Sequence, residues 1–150
     1  MVADSRRRLV VVSLLGLLPW TVLVIGSELT LVFPAGLVNT NPPQFVSIYD
    51  FFVRYTDGLP SFIVSWRTGV LLYLVALASA LSGVVWREDL RITALALVGA
   101  ALSQVGVFLG FNRRLGSVAL PVGTVVILTA VWWYYWPLLT AGAGDDDTAE

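Results

Sequence analysis

The ionisable side chains that could do chemistry lie outside the long apolar runs, and one group is predicted to share a membrane face: Glu28, Asp50, Arg54, Asp57, Arg67, Arg113 and Arg114. Guanidinium groups fork onto phosphate oxygens, so the adjacent Arg113 and Arg114 are the candidate contact for a phosphate or a lipid headgroup. The alternative is that these arginines pair with Glu28 or the aspartates and anchor a turn. Glu28 is the candidate for an external ion pair or a proton site.

The chemistry open to this chain is restricted by two residue types that it lacks. It has no cysteine and no histidine, which removes thiol nucleophiles, imidazole acid–base catalysis and the usual ligands of zinc, haem and iron–sulfur clusters. It also has no HExxH motif and no P-loop. We therefore expect a protein that is not an enzyme, with no metal and no cofactor. Nucleic acid is not an expected partner.

The composition indicates a membrane protein. Apolar residues make up 57% of the chain and charged residues 13%, about half the ~25% of soluble domains. The mean hydropathy is +0.83. Every basic residue is an arginine and the C-terminus is acidic, a style that resembles the proteins of salt-loving archaea.

Four stretches are long enough to cross a bilayer, since a helical span needs about 20 apolar residues. Arginines bound these stretches and an aromatic cluster ends the last one, as expected at a membrane interface. The pattern predicts an all-α fold, a bundle of four transmembrane helices in a single domain (1–139), with spans at about 9–27, 68–86, 92–111 and 115–136.

Orientation follows from the arginines near the first span. Arg6, Arg7 and Arg8 precede it, which favours an N-terminus on the cytoplasmic side of the cell membrane. Four spans then place both termini in the cytoplasm, with five arginines inside and four outside. Ser5 and the arginines also resemble a twin-arginine export signal, but the apolar run is long for a cleaved signal and no small-residue cleavage site follows it.

The first connection is predicted to carry a short amphipathic helix, at about 42–56. Asn41 is the expected N-cap, with Pro42 at the first helical position. Asp50 and Arg54 form an i,i+4 pair on its polar face, and the helix is expected to lie on the outer leaflet or to cap the bundle. The acidic tail, 140–150, is expected to be disordered.

Small residues predict how the second and third spans pack. In a membrane, helices associate where small side chains let their backbones approach. Stripes of small residues on these spans, only a short turn apart, indicate a tight antiparallel hairpin: Ala76, Ala80, Gly83, Gly99, Ser103, Gly106 and Gly110. Gln104, an amide near the bilayer centre, must find a polar contact on another helix, and lining a polar pathway is the alternative role.

These observations predict a membrane accessory or scaffold protein. Its expected partners are the lipid bilayer and either another membrane protein or further copies of itself. The alternative is a small proton-coupled transporter, because four short helices with a carboxylate in the first resemble the small multidrug-resistance exporters. Their glutamate is central in the membrane, however, whereas Glu28 stands near the end of its span.

Several short motifs add a family resemblance over nearly the whole chain: Arg6-Arg7-Arg8, Leu18-Pro19-Trp20, Tyr49-Asp50-Phe51-Phe52, Phe111-Asn112-Arg113-Arg114 and the acidic tail. Together they resemble a haloarchaeal family of small multi-pass membrane proteins that is named for being encoded near archaeosortase A, a processing enzyme of surface proteins. The resemblance implies an accessory role near envelope-protein processing or lipid attachment. It assigns no functional residue, and a chain without cysteine cannot itself perform the transpeptidase chemistry.

Overall fold

The computed structural model describes residues 2–54 and 61–143, and it contains both helices and strands. The helices are α1 (Val2–Leu17), α2 (Ile48–Val53), α3 (Ser61–Val85), α4 (Leu90–Asn112), α5 (Val122–Ala130) and α6 (Trp136–Ala143), with a π-helical segment, Val131–Tyr135, joining the last two. The strands are β1 (Thr21–Ile25), β2 (Glu28–Phe33), β3 (Gly36–Thr40), β4 (Pro43–Ser47) and β5 (Ser117–Leu120).

The prediction of an all-α bundle of four transmembrane helices is wrong. The five strands form one antiparallel sheet in the order β4-β3-β2-β1-β5. Within the described residues, three helical stretches are long and apolar enough to cross a membrane: Ile63–Val85, Leu90–Asn112 and Val122–Ala141. The expected first span, 9–27, divides instead into α1 and β1.

The local reason for this division lies at Pro19. The residue before a proline is disfavoured in helical conformation, and a proline removes a backbone donor, so α1 ends at Leu17. The β-branched run that follows favours a strand, and Gly26, at φ +61°, makes the turn into β2. Hydropathy could not separate the two structures, because a strand that is apolar on both faces looks like a buried helix.

The expected loop helix is also shorter than the sequence indicated. Residues 43–47 form β4, and α2 covers only Ile48–Val53. Its N-cap is Ser47, whose hydroxyl accepts a hydrogen bond from the Asp50 N–H at 3.1 Å. The predicted pair does form, with Arg54 Nε 3.4 Å from Asp50 Oδ1. The expected disorder of 140–150 lies mostly outside the described residues, and α6 continues to Ala143.

The helical part of the fold is centred on the antiparallel pair α3 and α4. Gly99 faces Leu72 across this pair, and Gly106 faces Ser65. α1 packs on α3, where the Tyr73 hydroxyl donates to the Val12 carbonyl at 2.9 Å. α1, with 16 residues, is therefore shorter than α3 and α4, with 25 and 23, and the sheet occupies the remaining length beside this pair.

The sheet packs against one end of the helices, here called the sheet end. The Thr21 hydroxyl donates to Gln104 Oε1 at 3.4 Å, and the Gly123 N–H donates to the Trp20 carbonyl at 2.7 Å. At 1.5 Å per residue, Gln104 lies about 12 Å along α4 from its last residue, Asn112. The sheet thus runs alongside the last two turns of α4 and extends beyond them. The opposite end, at the α3–α4 connection, is called the Glu88 end.

Candidate functional site

A cleft of about 210 Å³ separates the inner face of the sheet from α3 and α4. Its walls are mostly apolar and come from three strands and three helices: Leu23, Ile25, Thr30, Val32, Leu37, Asn39, Phe51, Ile63, Trp66, Val107 and Phe111. Ligand sites are characteristically apolar clefts with a few placed polar groups. This cleft has that composition, and it is formed by elements far apart in the sequence.

One polar group in the cleft wall is unsatisfied. Trp66 is 1% exposed, and its indole N–H has no hydrogen-bond partner in the described part of the chain. Its ring packs against those of Phe51 and Phe52, with centroid distances of 5.6 and 5.4 Å, and these two rings also contact each other at 5.8 Å. Leaving a buried donor unpaired costs about 1–3 kcal/mol. Apolar packing fixes this indole at the cleft wall, and its donor has no partner among the described residues.

The two other polar side chains of the cleft wall are hydrogen-bonded to each other. The Thr30 hydroxyl donates to Asn39 Oδ1 at 2.8 Å, across the paired strands β2 and β3. The walls range from Val107, which is 1% exposed, to Ile25, which is 46% exposed. The cleft therefore reaches the protein surface at the end of β1, beside the hairpin that leads to β2.

The opposite face of the sheet, here called the outer sheet face, carries no charge and is mostly apolar, with the polar residues Thr40 and Ser47 at the ends of β3 and β4. Side chains alternate between the faces of a strand, and the register aligns one such set across all five strands: Val118, Leu120, Val22, Val24, Leu29, Leu31, Val38 and Phe45. Phe45, Val118 and Leu120 are 59%, 55% and 51% exposed. Nothing in the described residues covers this face, although each strand contributes apolar side chains to it.

The two edges of the sheet differ. At β5, the Ala119 N–H donates to Asn112 Oδ1 at 3.1 Å, and Asn112 Nδ2 donates to the Ala119 carbonyl at 3.2 Å. An asparagine side chain thus closes this edge at its midpoint. The far edge of β4 pairs with no strand among the described residues, so it presents backbone donors and acceptors to its surroundings.

At the Glu88 end, a buried ion pair ties α1 to the α3–α4 connection. Arg8 Nε lies 2.6 Å from Glu88 Oε2, with side chains 16% and 2% exposed. The Tyr135 hydroxyl donates to Glu88 Oε1 at 3.2 Å, and Arg8 also donates to the Ser5 hydroxyl. Three segments of the chain thereby converge on one carboxylate. This arrangement fixes the helices relative to one another. It also buries the Glu88 carboxylate, which is therefore not exposed for catalysis.

The candidate phosphate contacts lie at the sheet end. Arg113 is the C-cap residue of α4, and Arg114 follows it, both with exposed side chains. Glu28 is the exposed first residue of β2. The Gly26 N–H donates to the Gly116 carbonyl at 3.2 Å, so the hairpin near Glu28 and the turn after the arginines lie together.

The predicted packing residues lie along α3 and α4, as their spacing required. Ala76 and Ala80 are fully buried, Ser103 faces Gly69, and Gly83 lies against Glu88. Gln104 is fully buried too, but its amide oxygen contacts Thr21 of β1 and not a neighbouring helix. The sequence interpretation missed the cleft and Trp66, because it assigned residues 21–25 to a helix and about 34–66 to a connection. It also missed the Glu88 ion pair, whose partners are 80 residues apart.

Comparison with known proteins places the chain in a family without assigning an activity. The family model described as a domain of unknown function (DUF8050) matches residues 2–143. No curated protein and no solved structure matches the chain.

Proposed function

We propose that this chain, which belongs to the DUF8050 family, is an integral membrane accessory protein that docks a partner membrane protein on its β-sheet. Its three apolar helical stretches are compatible with membrane insertion. The cell membrane is the proposed location, and the protein acts there by binding. The observation that carries the proposal is the exposed, charge-free outer sheet face beside the open edge of β4.

Water is an unfavourable environment for the outer sheet face. Burying apolar surface is worth roughly 25 cal/mol per Å², and five neighbouring strands contribute apolar side chains to this face. Contiguous apolar surface of this kind marks interaction sites on proteins. A sheet standing in water would therefore be stabilised by a partner that covers Val118, Leu120 and their neighbours.

Lipid is an unfavourable environment for the edge of the same sheet. β1 begins beside Gln104, so part of the sheet is level with the apolar length of α4. Open strand edges do not occur in lipid, because each unsatisfied backbone group costs several kcal/mol there. Asn112 closes the β5 edge at Ala119, but β4 has no such cover among the described residues.

A protein partner meets both requirements. The surface that docks here is apolar and uncharged where it covers the outer sheet face, and it offers backbone or side-chain hydrogen bonds to β4. A membrane protein with an apolar lateral surface has this chemistry. Following the sequence resemblance, we place the role near envelope-protein processing or lipid attachment.

In this proposal both termini are cytoplasmic. Arg7 lies over the ring of Tyr134 at 5.4 Å, so the start of α1 and the end of the last helical stretch lie at the same end of the bundle. The arginines of α1 favour the cytoplasm for that end. Because the chain has no native cysteine, single cysteines at Asp4 and Ser27 test this topology. An impermeant maleimide added to intact cells should label Ser27→Cys and spare Asp4→Cys; the reverse pattern would invert the orientation.

Photo-crosslinking in native membranes tests the docking proposal. A diazirine amino acid is placed at Val24 or Val118 on the outer sheet face, and at Leu102 on an exposed part of α4 as the matched control. We expect positions 24 and 118 to give a protein adduct of the same discrete mass. Position 102 should give no protein adduct. The adduct should disappear when Leu120→Glu places a charge on the face.

The other outcomes of this experiment contradict the proposal. Lipid adducts alone at all three positions would make the outer sheet face a lipid contact. An adduct with the mass of two copies of this chain would make it a homo-oligomer interface. No observation favours the transporter alternative, since Glu28 lies exposed at a hairpin outside the three apolar helical stretches.

A further inference from the structure

The cleft beside Trp66 lies on the inner side of the sheet. An inference from it does not depend on the partner proposed for the outer sheet face. Trp66 is buried, lines the cleft and has no acceptor in the described residues. A phenylalanine would supply the same ring packing against Phe51 and Phe52 without leaving a donor unpaired. An acceptor that enters the cleft from outside the described residues would satisfy the indole N–H.

Water is a poor candidate for that acceptor. An ordered buried water usually makes about three hydrogen bonds, and apolar cavities stay dry. Besides Trp66, the cleft wall has only two polar side chains, Thr30 and Asn39, and a hydrogen bond joins them. The cleft volume of about 210 Å³ is also several times the roughly 30 Å³ that one water occupies in the liquid. The space is suited to a larger apolar group.

We infer that the cleft binds a hydrocarbon chain that carries one oxygen acceptor, and that the acceptor receives the hydrogen bond from the Trp66 indole. The remaining walls, Leu23, Val32, Leu37 and Val107 among them, contact the chain through apolar side chains. α3 and α4 contribute to the cleft and are also apolar enough to span the bilayer, so a membrane lipid can reach it where Ile25 is exposed. The chain of a phospholipid and a free long-chain alcohol share this chemistry.

Nuclear magnetic resonance of the indole N–H groups tests this inference directly. The full chain is labelled with ¹⁵N-tryptophan, stripped of lipid and held in amphipol. The Trp66 signal is assigned as the one lost in Trp66→Phe. Dioleoyl phosphatidylglycerol is added in one titration and oleyl alcohol in another. We expect the Trp66 indole proton to move downfield and saturate with at least one probe, which also identifies the source of the chain.

Two variants and a control separate ligand binding from general structure. Trp66→Phe keeps an aromatic ring and removes the donor. Because this variant has no Trp66 signal, the probe retained by the repurified protein is measured by mass spectrometry, and it should bind about two- to tenfold more weakly, as expected for one hydrogen bond. Leu37→Phe narrows the cleft and should abolish the shift of the Trp66 signal. Trp86→Phe, at a position 93% exposed, should change neither. Unchanged positions of the other indole signals establish that each variant is folded.

Three results would overturn the inference. The Trp66 signal could remain still with both probes, or the shift could survive Leu37→Phe. The Trp66 proton could also exchange with water as fast as an exposed indole, which would identify water as its partner. If only Trp66→Phe folds, an unchanged affinity in that variant decides against the proposed hydrogen bond.

Discussion

Asn112, the last residue of α4, forms two hydrogen bonds with the backbone of Ala119, one to its N–H and one to its carbonyl. A neighbouring strand would make the same pair of contacts. The side-chain amide also donates to the Phe108 carbonyl at 3.1 Å, which links the sheet edge to the end of the helix. One asparagine thus ends a helix and protects a strand edge.

Replacing Asn112 with alanine should open this edge. We expect a loss of about 1–3 kcal/mol of stability, because the backbone groups of the buried Ala119 lose their partners. Hydrogen exchange at the Ala119 amide, measured by mass spectrometry, should accelerate. Asn41→Ala, in the exposed turn between β3 and β4, serves as the control and should leave that exchange unchanged. Equal exchange in both variants would remove the role assigned to Asn112.

Replacing Glu88 with glutamine should destabilise the Glu88 end. Removing one partner of a buried ion pair costs about 3–5 kcal/mol, and here it leaves the Arg8 guanidinium without its carboxylate. Thermal unfolding in detergent, followed by circular dichroism, should show a clear fall in Tm. The matched substitution Glu28→Gln, at an exposed position, should change stability by less than about 0.5 kcal/mol. Similar Tm values for the two variants would contradict this reading of the ion pair.

Gly123 should tolerate a methyl group poorly. A Cβ there would lie 2.6 Å from Trp20 Cα, a backbone atom that cannot rotate away, so Gly123→Ala should cost about 1–3 kcal/mol. Gly106→Ala is the control, since the nearest atom to its Cβ is the Ser65 hydroxyl at 2.7 Å, which can change rotamer, and the fixed Ser65 Cβ is farther away at 3.0 Å. Thermal unfolding should separate the two variants. If Gly106→Ala is less stable than Gly123→Ala, the contact between α3 and α4 at Gly106 tolerates an added methyl group less well than the contact between Gly123 and Trp20.

Arg113 and Arg114 remain the predicted contact for a phosphate or lipid headgroup. Each basic residue near an anionic surface contributes about 1 kcal/mol, so Arg113→Gln with Arg114→Gln should weaken retention of anionic phospholipid by about 30-fold. Lipid co-purified in mild detergent, measured by mass spectrometry, reports the effect. Arg54→Gln, which removes the exposed partner of Asp50, is the matched control. Retention equal to that of the unchanged protein would remove the predicted role.

The sequence and the structure agree where local pattern is enough. The apolar runs bounded by Arg67, Arg87, Arg91 and Arg113 predicted helices that the structure contains as α3 and α4. Small residues repeated at helical spacing predicted a close antiparallel pair, because lipid provides no other means of bringing backbones together. These properties depend on neighbours only a few residues apart.

The sequence interpretation failed where a helix and a strand would have the same apolar pattern. Residues 21–25 are apolar on both faces of the sheet: Leu23 faces the cleft, and Val24 belongs to the outer sheet face. Side chains on the two faces of β1 therefore do not alternate between polar and apolar in the sequence. The run simply continues the apolar pattern of α1. Pro19, Gly26 and the β-branched residues between them were the available signals for a helix end, a turn and a strand.

The sequence by itself determined that the chain is apolar enough for a membrane, that it lacks thiol and imidazole chemistry, and that two long helices pair through small residues. Only the tertiary structure decided that β5 adds to a sheet begun near residue 21, that Arg8 meets Glu88, and that Trp66 lines a cleft with a donor that none of the described residues pairs. Each of these contacts joins residues brought together by strand pairing or helix packing across long stretches of chain. Composition and spacing describe only what each segment can do, whereas the partner of each group depends on how all the segments pack together.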